Sequence, residues 1–363
     1  MNHEISTIDK LNVLFLRLQR VSDTDKMFFA QHMGVMIKAG IPVAKALKTL
    51  SLQTQNKRFA SALLDVYEGV EKGESLTASL KKHKNIFGEL FINMISSGEI
   101  SGKLEEVLHQ LFIQLKKRHE LISKIRNALI YPIIVILAML GIGAFMMVSV
   151  IPKITDVFEG FQSELPMATK MLIAISRAIN KHGALVVLSI IVSIFLIIKI
   201  LKTKTGKYIF DITILKFPII SPIIKKINLA IFSRTLSSLI KTDIPIVESF
   251  NITANIMKNL KYRRELLKVS ENVKKGISIT VSMNAHKDIF PPVILQMVSV
   301  GEDSGSLDDI LEEIAVFYEE EVQGIMDTLP SIIEPILMLI LGGAVAFMAV
   351  AIIMPMYSLT QAV

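Results

Sequence analysis

The phrase "GEISGKLEEVL" at residues 98 to 108 returns as "GEDSGSLDDIL" at 301 to 311, an offset of 203 residues. The same offset aligns far more of the chain. Without a gap, Phe29 falls on Phe232, Ile41-Pro42 on Ile244-Pro245, Lys72-Gly73 on Lys275-Gly276, Ile86-Phe87 on Ile289-Phe290, Pro132 on Pro335 and Pro152 on Pro355. An ungapped register over about 125 residues is a duplication, so the fold must accommodate one unit twice, at about 27 to 152 and 230 to 355. Residues 153 to 229 have no counterpart.

Composition says where such a unit resides. With 51% hydrophobic residues and a mean hydropathy of +0.51, the chain has the makeup of a membrane protein with sizeable soluble parts. No charged side chain occurs from Asn127 to Pro152, and "PILMLILGGAVAFMAVAIIM" follows Glu334. Each run is long enough for a helix across the hydrocarbon core, which is ~30 Å thick. Between His182 and Lys199 lie sixteen uncharged residues, a span only if Lys199 snorkels its amine to the interface and Ile200-Leu201 extend the helix. Parity asks for that span independently: if both repeats start on one side and each ends in a crossing, the chain between them crosses back once. Lys116, Lys117, Arg118, Lys124 and Arg126 before the first span, and Lys199, Lys202, Lys204 and Lys207 after the second, place both flanks in the cytoplasm.

The expected organisation is all-α. An N-terminal amphipathic segment (1–26) leads into a cytoplasmic helical bundle (27–128), a transmembrane helix (129–151), a periplasmic loop (152–183) and a second transmembrane helix (184–201). A repeat of the bundle (202–331), a third transmembrane helix (332–354) and a periplasmic tail (355–363) follow. The N-terminus is then cytoplasmic and the C-terminus periplasmic, the third span being oriented by parity alone. Each bundle reads as five or six helices with Gly at helix exits and Pro42 or Pro245 opening the next helix. No cleavable signal peptide is expected, because the first 26 residues are polar and "LNVLFLRLQRV" lacks an uninterrupted apolar core. Leu11, Leu14, Phe15, Leu18 and Val21 fall at helical spacing on one face. That face suits packing on the first bundle, or contact with a membrane surface or partner helix. Cysteine is absent, so disulfides, thiolate nucleophiles and Cys-ligated zinc are excluded.

The net charge of +7 hides an asymmetry: from Asp288 onward there are twelve acidic residues and no basic one, which leaves +19 elsewhere. The basic part suits anionic lipid head groups rather than nucleic acid. At repeat-matched positions Lys116-Lys117-Arg118 becomes Glu319-Glu320-Glu321. These runs are either solvated helix faces or opposed faces that the two bundles, or two copies of the protein, bring together. The repeated phrase itself reads as a helix-turn-helix corner. A helix containing Gly98 ends, Ser101 or Gly102 turns the chain, and Leu104, Val107 and Leu108 open a new apolar stripe with Glu105 and Glu106 in the first turn, where carboxylates suit the helix dipole. Gly301, Gly305 and the residues after them do the same, with Ser304 or Ser306 at the turn. Glu99 and Glu302 are not required by the turn, and either cap a neighbouring helix or meet a partner.

Catalysis finds no support. "GEISGK" has three residues between its glycines where a phosphate loop needs four, and Leu104 follows the lysine. The seven histidines form no metal-spaced pair, and "YEEEVQ" and "GEDSGSLDD" lack the alternating oxygen spacing of an EF-hand. No metal or cofactor is expected. Glu334, beside Pro335, is the one ionisable group near a span; an acid there is a functional candidate, although at the cytoplasmic mouth water alone would satisfy it. Three spans with almost no buried polar groups disfavour the alternative of a small-solute transporter subunit.

"MVSVGEDSGSLDDILEEIAVFYEEEV" followed by "IIEPILMLILGGAVAFMAVAIIMPMY" resembles the signature region of the inner-membrane platform proteins of type II secretion systems and type IV pili, the general secretion pathway protein F and PilC family. "IKAGIPVAKAL", "SSGEISGKLEEVL" and "LIYPIIVI" resemble the matching first half. The chain departs where the family usually has "QL": it reads His32-Met33 and, in the second copy, Thr235-Leu236. The resemblance implies a non-enzymatic protein of the bacterial inner membrane whose bundles engage a hexameric assembly ATPase and whose membrane part meets pilin or pseudopilin subunits. Other inner-membrane assembly proteins and further copies of the chain are implied partners. Pilus and secretion machines share this architecture, so the resemblance alone does not choose between them.

Overall fold

The computed structural model describes residues 19–159, 166–218 and 220–361, and among these residues the regular structure is entirely helical. Most of the N-terminal amphipathic segment, including Leu11, Leu14, Phe15 and Leu18, lies outside the described residues. The chain forms two compact units. One joins the residues up to Ile122 with Asp211–Val322; the other joins Ser123–Phe210 with the residues from Gln323 on.

In the first unit, repeat one comprises α1 (Asp23–Lys38), α2 (Val43–Gln53), α3 (Lys57–Glu71), α4 (Leu76–Lys81), α5 (Lys84–Ser101) and the start of α6 (Leu104–Phe145). The unmatched segment carries α7 (Ile151–Glu159), α8 (Met167–Lys202) and α9 (Lys204–Ile214). Repeat two comprises α10 (Ser221–Ile240), α11 (Ile246–Ile256), α12 (Leu260–Lys274), α13 (Ile279–Asn284), α14 (Pro292–Ser304) and the start of α15 (Leu307–Gln361). Helices α2, α3 and α4 begin and end 203 residues before α11, α12 and α13. The same side chains set these limits in both copies. Asn56 and Asn259 cap α3 and α12, and Ser75 and Ser278 cap α4 and α13, each accepting from a backbone N–H of the first turn. Pro42 and Pro245 sit one residue before their helices, where the missing N–H costs nothing.

Each repeat closes over an aromatic centre. Phe29, Phe59, Phe87 and Phe91 pack with ring centroids 5.1–6.1 Å apart. The second copy places Phe232, Tyr262 and Phe290 at the equivalents of Phe29, Phe59 and Phe87. Burying a phenol requires a partner for its hydroxyl, and the Tyr262 O–H donates to the Ile289 carbonyl at 3.1 Å. Burial pushes its pKa far above the usual tyrosine value.

The turn of the repeated phrase falls at Gly102 (φ 71°) and Gly305 (φ 73°), both left-handed helix caps. Valine at either position must adopt a backbone that costs L-residues about 1–2 kcal/mol, more when β-branched. Gly102→Val and Gly305→Val should each lower the thermal midpoint of the solubilised protein by roughly 2–8 °C, while alanine should cost less than valine. A valine variant melting with the wild type would show that the corner tolerates another conformation.

The helices that carry the first and third expected spans extend well beyond the sequence limits of those spans. The stretches Leu104–Thr155 and Leu307–Met354 are each long and apolar enough to cross a membrane. The expected limits at 128/129 and 331/332 fall inside α6 and α15, and Pro132 is carried within α6. Between Met167–Gly183 and Leu188–Lys202 α8 bends by 81°, with His182 leaving helical geometry (φ −125°, ψ 20°); counted as one, this pair makes a third candidate span.

The segment 152–183 between the first two expected spans is largely helical among its described residues. Leu172 packs with Ile151 and Ala351. The Thr169 hydroxyl donates to the Ala351 carbonyl at 2.6 Å, and the Ser176 hydroxyl to the Met147 carbonyl at 2.6 Å. Charge runs locate apolar stretches but are silent about an amphipathic helix lying between them, which explains the difference.

Candidate functional site

The acidic residue after the first glycine of each copy of the phrase turns inward onto its own repeat. Glu99 Oε1 accepts from Leu76 N–H at 2.7 Å, and its Oε2 accepts from Thr77 N–H at 2.9 Å and the Thr77 hydroxyl at 2.6 Å. Glu302 makes the same three bonds to Ile279 N–H (2.6 Å), Thr280 N–H (2.9 Å) and the Thr280 hydroxyl (2.8 Å). Of the two readings open for these residues, the geometry displays the cap. A carboxylate that satisfies orphan donors at the first turn of α4 or α13 also meets the positive end of the helix. Gly98 and Gly301 make the close crossing behind it: a Cβ on Gly98 would lie 2.9 Å from Val107 Cβ, and one on Gly301 3.1 Å from Ile310 Cβ.

The acidic run of repeat two is divided among different tasks. Arg234, whose side chain is 4% exposed, holds Glu319 in a fork, with Nε to Oε1 at 2.8 Å and Nη2 to Oε2 at 2.9 Å, and also donates to Glu312. Lys241 adds a second cation to Glu312 at 3.5 Å. Burial alone would raise the Glu312 pKa, but the Arg234 hydrogen bond and charge hold its carboxyl below the usual range. Glu321 pairs with Lys226, and Glu320 is exposed. From the basic run, Lys117 reaches Glu319 at 4.0 Å, so oppositely charged residues of the two runs meet at one point inside a single chain. Lys116 lies over the Phe112 ring, its amine 6.0 Å from the centroid; Arg118 remains on the half-exposed surface near Asp23, whose carboxyl it helps to hold down.

Around that point the repeats share a polar seam. Gln114 Nε2 donates to Thr235 Oγ1 at 3.0 Å, and its Oε1 accepts from the Ser238 hydroxyl at 3.0 Å. The Ser97 hydroxyl donates to the Thr242 carbonyl at 2.5 Å, and Lys103 pairs with Asp243 at 3.0 Å. Asp243 adopts φ 60°, alone among the described non-glycine residues in being left-handed. Beside the seam a cavity of about 490 Å³ is lined by Gln31, Val35, Lys38, His109, Lys241 and Asp243 among others. Gln31, His109 and Lys116 are the first repeat's equivalents of Arg234, Glu312 and Glu319. The cavity therefore adjoins, in repeat one, positions whose counterparts build the ion cluster in repeat two.

Sequence reasoning did not single out Arg234, Glu312, Gln114 or Ser238, and marked Thr235 only as a departure from the family's usual "QL". A signal existed: "SRTLSSLIKT" stands where the first repeat has "AQHMGVMIKA", so buried positions turn polar in one copy only. Glu334 and Pro335 are both exposed on α15 and close no site with other described residues. Among the described residues no group of three or more His, Asp or Glu is placed to hold a metal ion.

The type II secretion system protein F family model matches residues 29–152 and 232–355, two segments offset by the same 203 residues as the duplication. The chain is 32% identical to the type IV pilus assembly protein PilC of Myxococcus xanthus, over 94% of this chain and 82% of that protein. It is likewise 32% identical to PilC of Pseudomonas aeruginosa, over 95% of this chain and 92% of that protein. With the type II secretion system protein F of Vibrio cholerae it shares 28% identity, over 94% of this chain and 84% of that one.

Proposed function

The chain belongs to the type II secretion system protein F family, and from that membership we propose that it is the inner-membrane platform of a type IV pilus or type II secretion machine. In this reading the duplicated bundles face the cytoplasm and engage a hexameric assembly ATPase. The apolar helices meet pilin or pseudopilin subunits as these are drawn from the bilayer. Three crossings, with residues 184–201 as the return span, leave the N-terminus cytoplasmic and the C-terminus periplasmic.

The observation that carries the reading is the match of the family model to both repeats, apolar helices included. The chemistry is compatible with it. In this reading the chain passes on a partner's conformational work rather than performing a reaction. The exposed Lys116 and Glu320 and the membrane-proximal Glu334 beside Pro335 are the proposed contact points for partner proteins.

Deleting the gene, then imaging surface pili and comparing secreted proteins in the same cultures, tests the proposal. Lost pili with normal secretion assign the chain to a pilus machine, and lost secretion with intact pili to a secretion machine. Survival of both, under conditions that express the protein and with no paralogue present, sinks the platform reading.

A further inference from the structure

The seam between the repeats is one-sided, and that has a consequence for copies of the chain. In a two-fold arrangement of equivalent units, every contact occurs twice with the roles exchanged. Here Gln114 of repeat one bonds Thr235 and Ser238 of repeat two. Exchanging the roles across the 203-residue offset would pair Phe317 with His32 and Val35. Yet Phe317 is 52% exposed, Val35 is 62% exposed and His32 is exposed as well. The exchanged contact is therefore not made within the chain. Likewise Ser97 meets Thr242, whereas their counterparts Val300, 57% exposed, and Ala39 are both left open.

A head-to-tail contact between related units leaves one unused face at each end. On both unused faces hydrogen-bonding positions of the seam have become apolar, although its Ile252 is matched by Thr49 and its Thr235 by His32. Gln114 and Ser97 are replaced at the free end of repeat two by Phe317 and Val300, and Ser238 is replaced at the free end of repeat one by Val35. Of the seam's two charge pairs one keeps its sense, while Lys103 and Asp243 are matched by Ser306 and Gly40. The pair Lys117 and Glu319, 4.0 Å apart in the seam, has as its exchanged equivalent Glu320 and Lys116, again opposite in sign and both exposed. Exposed apolar side chains beside one complementary charge pair suit a surface that meets its match intermolecularly.

We propose that the repeat-two face bearing Val300, Phe317 and Glu320 docks on the repeat-one face bearing His32, Val35, Ala39 and Lys116 of a second copy of this chain, repeating between molecules the contact already made within one. The assembly is heterologous, so it closes into a ring or continues as an open array according to the rotation per step. The proposal does not depend on the platform reading, because it uses only the relation between the two repeats.

The absence of cysteine makes the test clean. Two differently tagged full-length copies are co-expressed, one carrying Phe317→Cys and the other Val35→Cys, and membranes are treated with a short bis-maleimide, whose reach exceeds that of a disulfide. The expected product is a mixed cross-linked dimer at least tenfold above either self-linked dimer and above a Leu64→Cys control paired with Phe317→Cys. Val300→Cys with Ala39→Cys provides a second pair at exposed positions. Glu320→Lys in the first copy should reduce the mixed product several-fold, and Lys116→Glu in the second should restore it. Dominant self-linked dimers would establish a two-fold contact and overturn the proposal, as would failure of both pairs to exceed the control.

Discussion

Replacing Arg234 with alanine should destabilise the first unit by about 3–5 kcal/mol, because removing one partner of a buried ion cluster leaves the others uncompensated. The forked bonds to Glu319 and the further bond to Glu312 disappear together, and two carboxylates remain close to one another with only Lys241 and the distant Lys117 nearby. For a unit of this size the thermal midpoint should fall by roughly 6–20 °C. The first repeat supplies the control. Combining Arg234→Gln, Glu312→His and Glu319→Lys installs the residues found at Gln31, His109 and Lys116. That triple variant strands no carboxylate but sets a lysine at position 319 beside Lys117, so its midpoint should also fall below wild type, by an amount that is not the sum of the single changes. Thermal unfolding of the solubilised protein measures both. An Arg234→Ala midpoint within ~2 °C of wild type would mean that the cluster is solvated in solution.

The same cluster sets an acid response. The folded-state pKa of Glu312 lies below its ordinary value. Its contribution is thus fully present above that ordinary value, about 4.3 for a free glutamate, and is lost as pH falls through the folded one. In Arg234→Ala the larger hydrogen bond and charge that lower it are gone while Lys241 remains, so this part of the acid sensitivity should shrink.

Glu99→Ala and Glu302→Ala should each cost about 2–4 kcal/mol, since a charged acceptor with three donors is lost and two of those donors are backbone N–H groups at a helix start. Glutamine should recover only part, because its amide nitrogen turns a donor toward Thr77 or Thr280 where the carboxylate offered an acceptor. Hydrogen exchange locates the effect. Amides at 76–81 or 279–284 should lose protection ahead of the rest of their repeat. Unchanged protection there would remove the cap from the explanation of why an acid follows the glycine.

These two expectations mark how far the sequence could be read. The corner, its glycines and the acids after them were visible as a repeated string, and so was the all-helical unit, because helix starts and stops are written in local residues such as Asn56, Ser75, Gly102 and their counterparts. Whether Glu99 served a cap or a partner was not visible. Its donors lie 22 and 23 residues earlier in the chain, and only the folding of α4 against α5 brings them within reach. The helix at 167–181 was missed for a different reason: its contacts are to Met147 and Ala351, remote in sequence and apolar or backbone in character, so no charge pattern announces it.

The sequence by itself determined a duplicated, helical, membrane-anchored chain, since repeat offset, helix punctuation and apolar runs are each properties of neighbouring residues. The tertiary structure alone decided which contacts the differing residues of the two copies make. Arg234 could be buried only because Glu312 and Glu319 arrive from another helix to neutralise it, and Gln114 could be buried only because Thr235 and Ser238 meet it from the other repeat. A buried charge or amide is tolerable only when its partners are assembled around it, and which residues become partners is settled when the helices pack.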